Sequence, residues 1–153
     1  MATIDPATFL VTSLIAGILG GTAMEAVLWS IGRAGWAKTD MIVALGSLLT
    51  KTRQNAWTVG MIAHTAAAIA FAMGYAALMA RVGYTEMPAS MMLGVGIGAA
   101  HGLVVSFALG WVVATRHPLE EFQIAGFAVC LSHWIGHAVY GAVVGMVVGV
   151  SPL

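Results

Sequence analysis

Ionisable residues are almost missing from four long stretches of this chain, and that distribution constrains the fold more than any motif does. No Asp, Glu, Lys or Arg occurs from Gln54 to Ala80, from Met87 to Thr115 or from Phe122 to Leu153, and Pro6 to Gly32 contains only Glu25. Each stretch exceeds the ~20 residues that an apolar helix needs to cross a bilayer core. In lipid a backbone must satisfy its own polar groups, and a helix does so internally. The expected fold is all-α. It is a polytopic membrane protein, a four-transmembrane-helix bundle in a single domain over 1–153, with spans at approximately 8–32, 56–80, 90–115 and 124–150.

Composition excludes the alternatives. Only 8% of the residues are charged and 60% are hydrophobic, whereas a soluble domain carries about 25% charge to wet its surface. Six basic residues balance six acidic ones, so the basic excess of a nucleic-acid binder is missing. An ordinary soluble protein and a disordered chain are excluded on the same count. The first apolar stretch does not read as a cleaved signal, because no Lys or Arg precedes it and it is too long. Cys130 is the lone cysteine, so no disulfide can form within one chain.

The charges that remain orient the bundle. Arg33, Lys38, Lys51 and Arg53 fall in the first loop and Arg116 in the third, against Arg81 on the opposite side. The positive-inside rule then puts loops 33–55 and 116–123 in the cytoplasm and both termini outside. Trp36 and Trp57 suit the inner interface and Tyr84 the outer one. Within the first loop, Met41, Ile42, Leu45, Leu48 and Leu49 share one helical face, which predicts a short interfacial helix over about 40–50 with Asp40 placed to cap it. Such a helix either lies on the inner membrane surface, drawn to anionic lipid, or serves as a connector packed against the bundle. Gly17 with Gly21, the series Gly94, Gly98 and Gly102, and the series Gly141, Gly145 and Gly149 permit close helix approach. They suit a tight bundle, a homo-oligomer or a subunit of a larger membrane complex. A faint repeat aligns Gly20, Ala23, Glu25 and Ser30 with Gly96, Ala99, His101 and Ser106, the pattern of two hairpins duplicated in parallel.

Five ionisable residues lie inside the spans: Glu25, His64, His101, His133 and His137. Such residues are costly in a membrane and by default mark a functional site. At about 1.5 Å per residue, Glu25, His64 and His133 lie roughly 10–13 Å from the inner helix ends, and His101 and His137 roughly 20 Å. All four helices therefore contribute to two neighbouring layers. His133 and His137 are four apart on one helix face. With His64 and Glu25 from other helices they compose a candidate site for a transition metal (Zn, Cu or Fe), with Cys130 and His101 as secondary ligands. A second reading is haem b held between His64 or His101 on one helix and His133 or His137 on another. A third is proton or solute conduction through the same layer. Against all three stands the plain alternative that each histidine only bonds a neighbouring carbonyl, hydroxyl or carboxylate, with Glu25, Thr65, Ser106, Ser132 and Tyr140 available.

Familiar catalytic patterns are missing. His133-Trp134-Ile135-Gly136-His137 has the zinc-protease histidine spacing, but Trp134 stands where the essential glutamate belongs. Membrane desaturases need more than five histidines. No nucleophile elbow, phosphate loop or dinucleotide fingerprint occurs, so no catalytic residues are assigned and a non-catalytic accessory subunit is the rival reading. In Arg116-His117-Pro118-Leu119-Glu120-Glu121, Pro118 suits a first helical turn and the two glutamates suit a helix start. The ten methionines are scattered, as expected of flexible packing.

His64, Ala100-His101-Gly102-Leu103, His137-Ala138-Val139-Tyr140-Gly141 with Gly145, and Gly20-Gly21-Thr22-Ala23-Met24 together resemble a family of small four-span bacterial membrane proteins of uncharacterised activity. The resemblance implies a four-helix bundle in a bacterial inner membrane. It brings no established activity and no catalytic residues.

Overall fold

A computed structural model describes residues 5–151 and 153, and these are helical with no strand among them. The four long helices are α1 (Pro6–Arg33), α3 (Ala56–Val82), α4 (Ala89–Ala108) and α6 (Phe127–Gly149), with the short apolar α2 (Met41–Thr50) between the first two. α4 runs on through a π-helical turn, Leu109–Val113, into the single turn α5 (Ala114–Arg116), so the third span extends over Ala89–Arg116. All four are long and apolar enough to cross a membrane. The protein is an integral membrane helical bundle whose outward-facing apolar side chains meet lipid.

The helices begin and end where local chemistry dictates. Asp5 caps α1, its carboxylate accepting from the Thr8 amide and hydroxyl, each at 2.8 Å. α2 ends on Lys51 and α3 on Gly83, both with left-handed backbone. Asp40 precedes α2, but its side chain makes no capping hydrogen bond. π-helical turns are rare and concentrate at functional sites. Leu109–Val113 is such a turn and lies at the loop-side end of the bundle.

α6 packs along α4 and α1, while α3 packs along α1 and α2 and barely meets α4. The α4–α6 contact is antiparallel and built on glycine. Gly94 meets the Gly141 carbonyl and Gly141 the Gly94 carbonyl, Gly98 meets the His137 carbonyl, and Gly145 that of Ser90. A Cβ at any of these positions would overlap the facing backbone. Farther along, the Ser106 hydroxyl donates to the Cys130 carbonyl at 2.7 Å. α1 meets α6 through Gly20 against Tyr140 and through Gly136 against Met24.

The first-loop helix is docked on the bundle. Gly46 of α2 lies against the Ala56 carbonyl and Gly60 of α3 against that of Ile42. Ile42, Gly46 and Ser47 are the buried residues of this contact. Of the expected apolar face, Met41, Leu45 and Leu48 roof a cavity of about 200 Å³, and Leu49 remains exposed. His117, only 2% exposed, ties α2 down. Its Nε2–H donates to the Ala44 carbonyl at 3.0 Å and its Nδ1 accepts from the Leu119 amide at 3.1 Å. Both ring nitrogens are therefore engaged, and the Arg116–Glu121 segment takes a structural role.

Candidate functional site in the bundle core

α1 and α3 bring the first pair together. Gly17 of α1 lies against the Ile69 backbone, and one turn on a Cβ at Gly21 would stand 3.7 Å from His64 Nε2. A further turn along, Glu25 Oε1 faces His64 Nε2 at 3.5 Å. Both atoms are buried, and at this separation they face each other without a formed hydrogen bond. The side chains line a small cavity of about 140 Å³ with Thr22, Met61 and Thr65. Glu25 also borders a wider cavity of about 580 Å³ at the loop-side end, where Trp29, Arg33, Lys38 and Asp40 line the wall. An acidic side chain is thus set between the loop-side space and a buried imidazole.

α4 and α6 supply the second pair. The rings of His101 and His137 meet edge to face with centroids 4.8 Å apart. His101 Nδ1 shares a 3.0 Å hydrogen bond with the Tyr75 hydroxyl, and the Phe71 ring lies tilted against it with centroids 4.2 Å apart. Tyr75 in turn meets Tyr140 at 5.5 Å, and the Tyr140 hydroxyl donates to the Ala68 carbonyl. His137 thus meets the His101 ring and, through Nδ1, the His133 carbonyl at 2.7 Å.

Hydrogen bonding fixes two tautomers. A carbonyl can only accept, so Nδ1 carries the proton where His133 bonds the Val129 carbonyl at 2.8 Å and His137 bonds that of His133 at 2.7 Å. In the neutral imidazoles Nε2 is then left as the basic atom. The Nε2 of His133 is buried without a hydrogen-bond partner.

The anticipated site residues are thus joined as pairs, Glu25 with His64 and His101 with His137. Among the described residues, no three of the His, Cys, Asp and Glu side chains are arranged to hold one metal ion. Cys130 turns away from His133. It lines a lipid-side groove with Ser106, Gly110 and Trp134, whereas His133 lines the cavity under α2. The contact between His101 and His137 also leaves no gap in which a macrocycle could stand between those two rings. No family model, curated protein or solved structure matches this chain.

Tyr75 and Phe71 are the members that a search for ionisable residues passes over. The usable signal was helical phase. Phe71 and Tyr75 follow His64 by seven and eleven residues, about two and three turns, which puts all three on neighbouring lines of α3.

Proposed function

We propose that this bundle handles protons within the membrane, taking them up at Glu25 and passing them along His64, His137 and His101 to Tyr75. The supporting observation is the presence of two polar groupings in one bundle core. One is a carboxylate at a loop-side cavity with an imidazole at 3.5 Å, and the other is a pair of edge-to-face imidazole rings with a tyrosine hydroxyl at 3.0 Å. Transfer from His64 to His137 is the step that joins them in this reading. Groups that exchange protons and lie in sequence through a low-dielectric region are the expected substrate of a relay. At about 1.5 Å per residue the series runs from roughly 12 Å to roughly 28 Å along the helices. In this reading 1–153 is one transmembrane unit in a bacterial inner membrane, loops 33–55 and 116–123 face the cytoplasm, and uptake is from the cytoplasmic side.

Reconstitution in liposomes loaded with a pH-sensitive dye tests the reading. Under an imposed membrane potential, wild-type protein should acidify or alkalinise the lumen faster than empty liposomes, and Glu25→Gln should reduce that rate at least tenfold with unchanged helical content. Flux equal to that of empty liposomes, or an unaltered rate in Glu25→Gln, would overturn it.

One observation favours a second reading, a Zn, Cu or Fe site. His133 and His137 donate Nδ1–H to carbonyls, which is how ligating histidines are held with Nε2 free for a metal. Elemental analysis of purified protein separates the two. Stoichiometric metal that disappears in a His133→Ala/His137→Ala double variant supports the metal, and metal-free protein that still conducts supports the relay.

A further inference from the structure

Two cavities of opposite character meet at the loop-side end. The one beneath α2, of about 200 Å³, is walled by Leu45 and Leu48 from above, by Leu109 and Val113 of the π-helical turn, and by Val129 of α6. Its walls are mainly apolar; of its two histidines, His117 has both ring nitrogens engaged, while the Nε2 of His133 is buried without a hydrogen-bond partner. An occupant there meets mostly hydrocarbon. The other, of about 580 Å³, carries Arg33 and Lys38 together with Asp40 and Glu121, between the exposed rings of Trp29 and Trp57. Lys38, Asp40, Met41, Glu121 and Phe122 line both cavities, so the two adjoin across a shared wall.

We infer that the adjoining cavities form one bipartite site for a single-chain zwitterionic phospholipid, its phosphate and ammonium in the charged compartment and the methylenes of its chain nearest the headgroup beneath α2. The charged compartment offers both signs, Arg33 and Lys38 for a phosphate and Asp40 for an ammonium, Glu121 being already paired with Arg53, and neither a purely anionic nor an uncharged headgroup would satisfy both. Tryptophans flanking charged side chains at a helix end mark the depth at which lipid headgroups lie. The apolar compartment exceeds the 150 Å³ cavity known to admit a benzene-sized molecule, so about one ring or a short run of methylenes fits it. The π-helical turn has a consequence here, since Leu109 and Val113 from it form the wall that a chain would touch. This site does not rest on proton transfer, and none of the variants below alters Glu25 or a histidine.

Binding of 1-oleoyl-lysophosphatidylethanolamine to detergent-solubilised protein, followed by tryptophan fluorescence, tests the site, with 1-oleoyl-lysophosphatidylglycerol and 1-oleoylglycerol as matched controls. The zwitterion should bind about tenfold more tightly than either control, the effect of one or two charge-assisted hydrogen bonds. Arg33→Gln/Lys38→Gln should remove that preference. Ala125→Phe or Leu45→Trp, each of which fills the apolar compartment, should weaken all three ligands about tenfold by excluding a few methylenes. Either filling variant with wild-type helical content suffices. Equal affinity for the three lipids in the wild type, or undiminished binding in a folded filling variant, would overturn the inference.

Discussion

The hairpins α1–α3 and α4–α6 each hold one ionisable pair, yet they are closed in different ways. Along α4–α6, glycines at four-residue spacing face carbonyls of the partner helix from Ser90 to Gly102, and no space remains between the backbones. Along α1–α3, only Gly17 makes such a contact. At Gly21 the nearest atom to an added Cβ is the Ala68 methyl at 3.2 Å, and beyond it the helices part around Glu25 and His64. One hairpin is zipped, with His137 held by a backbone carbonyl and His101 by the Tyr75 hydroxyl. The other is pinned at a single point, so its carboxylate keeps access to the loop-side cavity. Close packing and an accessible carboxylate exclude each other locally, and the molecule assigns them to different helix pairs.

That contrast can be broken at the glycines. Gly94→Ala or Gly141→Ala sets a methyl against a carbonyl that cannot move aside, and the bundle should lose about 3 kcal/mol, the upper range for overpacking. Unfolding in mixed micelles measures the loss. Next in size, Glu25→Leu should cost about 1–2 kcal/mol by leaving His64 facing an apolar neighbour. The double variant Glu25→Leu/His64→Leu should recover most of it, because a well-packed apolar pair replaces a buried polar one at little cost. A double-mutant cycle that found the two changes additive would mean that the pair does not interact. Gly21→Ala should cost less than about 1 kcal/mol, since the facing methyl need shift only slightly. If it proved as damaging as Gly94→Ala, the two hairpins would not differ as described.

The smallest effect lies at the start of α1. The Thr8 amide and hydroxyl hold the Asp5 carboxyl below the usual aspartate range, because both favour its charged form. The cap is therefore intact at neutral pH and is lost as pH falls through that lowered value. Thr8→Val removes the hydroxyl and keeps the amide, so the NMR titration midpoint of Asp5 should rise part of the way to the ordinary value. No change would show that the amide alone sets it.

Much of the fold was legible because lipid leaves few choices: a stretch without charge and longer than a bilayer core becomes a spanning helix. The docked position of α2 was not legible. Its Met41, Leu45 and Leu48 spacing is the same whether the face meets lipid or roofs a cavity, and the deciding contact is made by Gly46 and Gly60, which carry no side-chain signal. The site divides similarly. Glu25 and the histidines stand out because ionisable groups in a span are rare, whereas Cys130 shares helical spacing with His133 and still lines another groove, because helical phase fixes a side chain's direction only to within a turn's width. The aligned residues of the faint repeat do not correspond to a symmetric bundle either. α6 runs along α1, while its would-be counterpart α3 scarcely touches α4.

His137 owes its height in the bundle to residues with no side chain of their own. Gly98 receives its carbonyl, and Gly102 leaves room for its Cβ, which an added methyl would approach to 2.7 Å. A saturation scan scored by activity should therefore rank these two glycines beside the histidine itself, while the lipid-facing Val95 and Val104 on the same helix tolerate almost any apolar replacement. In such a scan the chemically blank positions would be among the most intolerant.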